Sequence, residues 1–271
     1  MTKPDRELTV PGARLRFRDE GAGVAVLLIH GWTLDLDMWE PQARELCTSL
    51  RVIRYDRRGF GLSSGRPSLS NDVTDALALC EHLRLQSVAL LGMSQGARVA
   101  AHIAAGNPGL VSHMILDGAP GGIVLDDAVA PSDIPLARYR ELARAGGASE
   151  FLKEWRKHPL TQLRTRDARS QELLEQMLAR YRAEDLSDAD AQAPPPPVRA
   201  ESIRAPALII SGALDLETRI RAADALARCL SASERAMVPE AGHMPNLDNP
   251  PVYNTLLRQF LIRPASAGSR N

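Results

Sequence analysis

The chain has 271 residues, of which 44% are hydrophobic, so it can bury a large core as one domain or as two small ones. Lys plus Arg and Asp plus Glu balance at 33 each, so no overall electrostatic field favours binding to nucleic acid. The partners we expect are therefore small, weakly charged molecules.

The cysteine pattern and the hydropathy restrict the cellular compartment. Cys47, Cys80 and Cys229 are far apart and lack the C-x-x-C or Cys/His spacing of a metal site, so we predict buried apolar thiols. The first ten residues contain no apolar signal core, and no run approaches the roughly 18 apolar residues of a membrane span. We expect a cytoplasmic protein that does not enter a membrane; the oligomeric state is left open.

The first part of the chain alternates apolar strands with helical patterns. Residues 8–10 and 14–17 predict an edge hairpin with one solvated face, because apolar residues alternate with arginines there. The continuous apolar run 24–29 predicts a strand buried on both faces, ending in His30-Gly31-Trp32. Further predicted elements are a helix over 40–49, a strand over 51–55 and a helix capped by Asn71 or Asp72.

One stretch has a pattern that carries chemistry. An apolar strand over 88–91 leads into Gly92-Met93-Ser94-Gln95-Gly96, and a helix of small residues follows, ending near Gly106. This arrangement is typical of a G-x-S-x-G nucleophile elbow, in which the flanking glycines prevent a collision as the backbone reverses. The elbow exposes the hydroxyl of Ser94 as a nucleophile. The alternative is that Ser94 only caps the helix.

The second half of the chain contains a long interruption of the strand pattern. After a predicted strand over 111–116, the apolar residues of 121–203 are sparse and helically spaced, and we find no buried strand there. A proline run at 194–197 ends this stretch. We therefore predict an α/β core formed by residues 1–120 and 204–271, with residues 121–203 inserted as a helical lid. The later predicted elements are strands over 207–210 and 235–238 and helices over 218–229 and 251–261.

Four polar residues lie at or just beyond the carboxyl ends of predicted strands: His30, Ser94, Asp215 and His243. Because the loops after parallel strands converge at one edge of a sheet, these side chains are expected to gather there. A serine needs a histidine to accept its proton during attack, and the histidine needs an acid to hold its tautomer. We expect His243 and Asp215 in those roles. Asp117, which ends the strand after the elbow helix, is the alternative acid or else a turn cap.

The chain resembles the α/β-hydrolase superfamily over almost its whole length. The resemblance rests on HGW, YDRRGFGLS, GMSQG, GALD and AGHMPNLDNP, which occur in the family's order. Within the superfamily these loops are most similar to those of 3-oxoadipate enol-lactonase and related small esterases. The resemblance implies an α/β-hydrolase fold, with a mostly parallel eight-stranded sheet flanked by helices, and a catalytic triad in the order Ser94, Asp215, His243.

The tetrahedral intermediate of acyl transfer needs hydrogen-bond donors for its oxyanion. The backbone N–H of Gln95 is one candidate, and by the resemblance the backbone N–H of Trp32 is the other. His30 resembles the family's structural loop histidine, and Arg57 is expected to brace neighbouring loops. Gln95 stands where methionine is more familiar in the family, so its amide either contacts substrate or a loop, or simply begins the helix.

Side chains near the elbow and in the predicted lid are candidates to contact substrate, with ordinary core packing as the alternative for each. The apolar candidates are Met93, Trp39, Trp155 and Met244. Arginines of the lid are able to bind a substrate carboxylate through paired N–H donors, although a solvated helix face explains most of them. These arginines include Arg138, Arg140, Arg156, Arg164 and Arg166.

Together these features predict hydrolysis of a small carboxylic ester or lactone through an acyl-Ser94 intermediate, with no metal and no organic cofactor. Carbon–carbon bond hydrolysis and cofactor-free perhydrolysis rely on a similar site and stay as alternatives. Serine rather than aspartate at the elbow argues against epoxide hydrolase or haloalkane dehalogenase chemistry. An alternative of another class is a small-ligand receptor without turnover, against which the filled triad argues.

Overall fold

A computed structural model of the protein describes residues 4–124, 133–187 and 195–262. The strands are β1 (Arg6–Val10), β2 (Ala13–Gly21), β3 (Ala25–Ile29), β4 (Arg51–Tyr55), β5 (Val88–Met93), β6 (Val111–Asp117), β7 (Ile123–Val124), β8 (Val198–Arg199), β9 (Ala207–Gly212) and β10 (Ser233–Val238). The α-helices are α1 (Glu40–Leu46), α2 (Leu69–His82), α3 (Gln95–Gly106), α4 (Leu136–Trp155), α5 (Ala168–Arg180), α6 (Glu184–Ser187), α7 (Glu217–Cys229), α8 (Pro245–Asp248) and α9 (Pro250–Leu261). Short 3₁₀ helices span Leu36–Trp39, Pro159–Thr161 and Ala200–Ser202.

The main sheet has eight strands in the order β1-β2-β4-β3-β5-β6-β9-β10. Strand β2 runs antiparallel to both of its neighbours, β1 and β4, whereas every other neighbouring pair in this sheet is parallel. The prediction of a mostly parallel eight-stranded sheet flanked by helices is confirmed. In such a sheet the loops after β3, β4, β5, β6, β9 and β10 lie along one edge, which we call the carboxyl edge.

Strand β3 shows how the core is divided between the two faces of the sheet. All five of its residues are buried, and alternate side chains enter different hydrophobic clusters: Val26 and Leu28 join one cluster, Leu27 and Ile29 the other. Successive side chains of a strand point to opposite faces, so a continuous apolar run fills both. The first cluster also contains residues of α1, α4, α5 and α9, and the second contains residues of α2, α3 and α7.

The N-terminal hairpin differs from its prediction. Only β1 lies at the sheet edge, because β2 is enclosed between β1 and β4. The arginine face of β2 is only partly solvated: the Arg14 side chain is 64% exposed, whereas Arg16 is 6% exposed and donates to Asp5 at 2.7 Å and to Asp56 at 3.3 Å. The alternation is as predicted, and Arg16 is buried because carboxylates from elsewhere in the chain pair with it.

Two boundaries also differ from their predictions. Helix α2 begins at Leu69 and is capped by Ser68, whose hydroxyl accepts the backbone N–H of Asn71 at 3.3 Å. Ser68 has the extended backbone of a helix cap (φ −158°), whereas Asp72 is already helical and points into the protein, 1% exposed. At the start of β3, Val24 lies outside the strand and is 49% exposed.

The chain between β6 and β9 is mainly helical, as predicted, and contains α4, α5 and α6. The expectation of no strand there is wrong in one detail, since β7 and β8 form a two-residue parallel ladder and Val198 is buried. That ladder joins the two ends of the segment and is too short to leave a sequence pattern. Residues 125–132 and 188–194 of the predicted lid lie outside the described residues.

The longest helix, α4, is broken at Gly146-Gly147, where Gly147 has a φ of 66° that disfavours a side chain. Neither α4 nor another helix in the described ranges combines the length and the apolar composition that a bilayer crossing requires.

Candidate active site

The turn between β5 and α3 holds Ser94 in a strained backbone conformation, with φ 51° and ψ −111°. An added Cβ at Gly92 would lie 2.3 Å from the carbonyl oxygen of Gly96, and one at Gly96 would lie 2.2 Å from that of Ile29. No side chain fits at either position, so the predicted reason for both glycines is confirmed. Ser94 caps no helix N–H with its hydroxyl. A strained serine without a capping bond has the geometry of a nucleophile elbow.

His243 and Asp215 follow β10 and β9, and the structure brings them together. His243 Nδ1 lies 2.8 Å from Asp215 Oδ2, and both side chains are almost fully buried. Because the carboxylate accepts a hydrogen bond from the Nδ1–H group, the neutral imidazole carries its lone pair on Nε2. The ring also packs against Gly118, where an added Cβ would lie 2.8 Å from Cε1 of His243. One imidazole orientation is therefore held from two sides.

Ser94 and His243 both line a small cavity of about 20 Å³. No hydrogen bond joins these two described side chains. In unliganded sites such bonds are commonly long and shorten only when substrate binds. The structure thus brings the predicted base and nucleophile to one cavity and joins the base to the predicted acid.

Asp117 ends β6 and is fully buried. Its Oδ2 accepts the hydroxyl of Tyr253 at 3.0 Å, while Oδ1 is buried without a partner. Burial holds the pKa of Asp117 well above the ordinary aspartate value, which favours the neutral acid. The expectation of a turn cap is wrong because the side chain points into the core, and the acid bonded to His243 is Asp215.

The two backbone N–H groups expected at the oxyanion position belong to Trp32 and Gln95. Within residues 4–124, 133–187 and 195–262, neither N–H donates a hydrogen bond. The N–H of Gln95 is one of the unpaired donors at the start of α3. Two unpaired donors beside a serine are what an oxyanion requires.

Arg57 is a fully buried guanidinium that connects the loops of the carboxyl edge. It donates to Asp72 at 2.8 Å, to the Gly31 carbonyl at 3.2 Å and to Gln95 Oε1 at 2.7 Å. Its backbone N–H donates to Nε2 of His30 at 2.9 Å, so His30 carries its proton on Nδ1 and donates it to the Gly31 carbonyl. Burial lowers the pKa of His30 well below its ordinary value. The predicted bracing role of Arg57 is confirmed, and the amide of Gln95 contacts this loop.

A cleft of about 440 Å³ opens at Ser94 and Trp32. Met93, Trp155 and Met244 line the adjoining small cavity. Trp39 does not line either space: it is completely buried in the hydrophobic cluster with α1, so its proposed substrate contact is not supported. A larger surface groove of about 890 Å³ lies near α1, α5 and α9 and contains none of the predicted triad.

Two polar contacts between the carboxyl edge and the helical segment were not predicted. The indole N–H of Trp32 donates to Asp185 at 2.6 Å, and the same carboxylate accepts the hydroxyl of Tyr181 at 2.6 Å. The indole N–H of Trp155 donates to Thr33 at 2.9 Å. Burial raises the pKa of Asp185. Asp185 lies 153 residues from Trp32, so no local sequence pattern predicts their contact.

In the part of the chain that the structure describes, no group of three or more His, Cys, Asp or Glu side chains is arranged to hold a metal ion.

Comparison with known proteins agrees with the fold described above. A family model described as alpha/beta hydrolase fold matches residues 24–250. A putative 2-succinyl-6-hydroxy-2,4-cyclohexadiene-1-carboxylate synthase of Bacillus subtilis is 27% identical over 92% of this chain and 95% of its own length. A thermophilic esterase of Thermogutta terrifontis, solved with malate bound, has a TM-score of 0.81 and 26% identity over 96% of this chain and 98% of its own. The enol-lactonase of Burkholderia xenovorans, at 22% identity and a TM-score of 0.77 over 95% of this chain and 100% of its own, shares the fold.

Proposed function

Because the chain belongs to the α/β-hydrolase family, we propose that it hydrolyses a small carboxylic ester or lactone through an acyl enzyme on Ser94. The observation that carries the proposal is the strained Ser94 turn beside the His243–Asp215 pair, whose contact is 2.8 Å. The esterase and the enol-lactonase among the structural neighbours favour this reaction type.

In the proposed first step, Ser94 Oγ attacks the acyl carbon while Nε2 of His243 accepts the hydroxyl proton. Nε2 is the nitrogen available for this task because Nδ1 is engaged by Asp215. The resulting imidazolium is stabilised by the Asp215 carboxylate. The negative charge moves to the former carbonyl oxygen, and the unpaired N–H groups of Trp32 and Gln95 are the proposed donors to it.

Collapse of this intermediate breaks the bond to the leaving alkoxide, which takes the proton from His243. For a lactone the leaving alkoxide stays attached to the acyl chain. Water then repeats the sequence: His243 accepts its proton, hydroxide attacks the acyl carbon, and Ser94 leaves with the returned proton. The products are a carboxylic acid and an alcohol, and the serine is regenerated.

We also propose that residues 121–203 act as a lid over a core of residues 1–120 and 204–271. The polar contacts from Trp32 to Asp185 and from Trp155 to Thr33 support this division, because they join the helical segment to the loop that carries an oxyanion donor. A covered cleft excludes water from the acyl intermediate and strengthens its electrostatic stabilisation.

The test is hydrolysis of short-chain 4-nitrophenyl esters and small lactones, with wild type compared with Ser94→Ala. We expect Ser94→Ala to lose about 10⁴-fold or more in kcat. An activated phosphonate ester should transfer its phosphonyl group to Ser94 with release of its alcohol or phenol, so wild type gains the mass of that group and the variant does not. Equal rates for the two proteins would show that Ser94 is not the nucleophile. Saturable binding of an ester without turnover by wild type would favour a receptor instead.

A further inference from the structure

Several arginines line the cleft at Ser94. Four guanidinium groups reach it, from different elements of the fold: Arg57, Arg98, Arg140 and Arg219. A neutral substrate gives no reason to collect cations here, and burying a cation is costly unless an anion accompanies it. An arginine of this cleft that has no carboxylate partner therefore indicates a negatively charged substrate.

Two of the arginines are already neutralised. Arg57 is paired with Asp72 at 2.8 Å, and both are fully buried. Arg219 grips Asp133 with two hydrogen bonds, at 2.7 and 2.6 Å, and is 6% exposed. These two guanidinium groups are structural ties between loops, and neither needs a further anion.

Arg98 is placed next to the nucleophile and has no carboxylate partner among the described residues. It lies one turn into α3, where its backbone N–H donates to the carbonyl of Ser94 at 3.3 Å. Its Nη2 donates to the carbonyl of Pro195 at 2.9 Å, while its Nε is buried without a partner. Burial lowers the pKa of this guanidinium, since no anion offsets the loss of water. The loop at Gly122 packs against it, where an added Cβ would lie 2.4 Å from Nε.

Arg140 approaches the same cleft from α4 and likewise makes no ion pair within the described ranges. Arg140 and its neighbour Arg138 are both exposed, but Arg138 lies 3.7 Å from Glu141 and does not line the cleft.

The carboxylates that face the cleft do not cancel these two cations. Asp72 is committed to Arg57, and Asp185 accepts hydrogen bonds from Trp32 and Tyr181. The described residues around the cleft therefore retain a positive charge even when Asp185 is ionised.

We propose that the ester or lactone taken by this site carries a carboxylate, which Arg98 and Arg140 bind while Ser94 attacks the acyl carbon. The inference rests on the proposed function and narrows its substrate class to anionic esters or lactones. Paired N–H donors on a guanidinium match a carboxylate geometrically, and a partly desolvated cleft strengthens the attraction.

The test uses two matched pairs of substrates that differ only in charge. The first pair is 4-nitrophenyl hydrogen adipate and its methyl ester, which place the charge on the acyl side. The second is 4-carboxyphenyl butyrate and 4-methoxycarbonylphenyl butyrate, which place it on the leaving group. For wild type we expect kcat/KM to favour the charged member of at least one pair by about tenfold or more. Equal or lower kcat/KM for the charged member of both pairs overturns the proposal.

Variants then assign the preference to residues. Arg98→Gln and Arg140→Gln should each lower kcat/KM for the preferred charged substrate roughly 10- to 100-fold relative to its neutral match, mainly through KM. Arg98→Lys should recover part of the preference for the charged substrate, because lysine restores the positive charge. Arg138→Gln is the matched control and should retain the full preference. A preference that survives both Gln variants, each checked for folding by circular dichroism, contradicts the assignment.

A binding measurement separates this proposal from the hydrolase proposal. If wild type hydrolyses neither member of either pair, the proposed function has failed. Calorimetric titration with adipate then still tests whether the cleft binds a carboxylate. Binding to wild type that weakens about tenfold or more in Arg98→Gln supports an anion site. Equal affinity in wild type and both Gln variants, or no binding at all, overturns it.

Discussion

The carboxyl edge of the sheet and the helical segment of α4 to α6 are held by different forces. At the edge, polar side chains are buried and bound several times over: Arg57 has three hydrogen-bond acceptors, and His243 is held between Asp215 and Gly118. The helical segment adds to its few polar contacts a cluster of aromatic rings packed on the core, such as Trp155, whose ring centroid lies 4.9 Å from that of Trp32.

This difference in packing indicates that the carboxyl edge positions the reacting atoms, whereas the helical segment shapes the cleft. Short, buried hydrogen bonds hold atoms to within tenths of an ångström, as acyl transfer requires. Removing one partner of such a bond leaves the other buried and unpaired, which costs the most stability. Aromatic packing tolerates small displacements and sets the shape of a cleft more than the position of a proton. Changes at the edge should therefore cost activity or stability steeply, and changes in the helical segment should cost less.

The largest expected effect is at the His243–Asp215 pair. His243→Ala and Asp215→Asn should each reduce kcat for a 4-nitrophenyl ester by about 10⁴-fold, because the base is lost or its tautomer is reversed. Asp117→Asn is the matched control and should cost less than about tenfold, since its contact is with Tyr253. Loss of turnover in Asp117→Asn with near-normal rates in Asp215→Asn would reverse the assignment of the acid.

Next in size is the stability carried by Arg57. Arg57→Leu leaves Asp72 buried without its cation, so the free energy of unfolding in urea should fall by about 3–5 kcal/mol. Adding Asp72→Asn should restore part of this loss because the unpaired charge is removed. A single variant that is less than about 1 kcal/mol less stable than wild type would show that the edge is not held as we describe.

A smaller effect is expected where the two regions meet. Asp185→Asn keeps the size of the side chain but weakens two charge-assisted hydrogen bonds, to Trp32 and Tyr181. We expect kcat to fall about tenfold, with about 1–2 kcal/mol lost from the free energy of unfolding. Glu175→Gln, an exposed carboxylate of the same segment, is the control and should change neither quantity. An unchanged kcat in Asp185→Asn would show that the contact between Asp185 and Trp32 does not affect the reaction.

The same variant gives a pH test. Burial raises the pKa of Asp185 above the ordinary 3.8, so the folded state binds this proton more tightly than the unfolded state. The contribution of Asp185 to the free energy of unfolding must then fall as pH rises through the interval above 3.8. We expect the stability of wild type minus that of Asp185→Asn, measured by urea unfolding, to decrease over that interval. An increase would mean that the hydrogen bonds outweigh burial.

The smallest effect concerns backbone strain at the elbow. Ser94→Gly and Ser94→Ala both remove the hydroxyl, but only glycine relieves the φ of 51°. The glycine variant should be more stable than the alanine variant by about 1 kcal/mol in thermal or urea unfolding. Equal stabilities would indicate that the turn is not strained.

Much of the fold was predictable because its signals are local. The elbow is five consecutive residues. The residues of β3 are all apolar, which indicates that both faces of the sheet are covered there. The loops containing Ser94, Asp215 and His243 were expected at one sheet edge from strand order alone, and the structure brings the last two into contact.

What could not be predicted depends on contacts between distant residues. The arginine face of β2 has a solvated pattern, yet Arg16 is buried by Asp56, 40 residues away. Trp39 follows a strand-end loop as a pocket residue would, but its ring turns into the core. Of the arginines in the helical segment, only side-chain placement distinguishes Arg140 from Arg138.

The order of strands along the chain has a consequence for biosynthesis. Strand β5 and the Ser94 turn leave the ribosome well before β9 and β10, whose loops carry Asp215 and His243. Until those last strands add to the sheet beside β6, the Ser94 hydroxyl lacks the base and the acid that the proposed mechanism requires. Under the proposed function, hydrolysis can therefore begin only after β9 and β10 have joined the sheet.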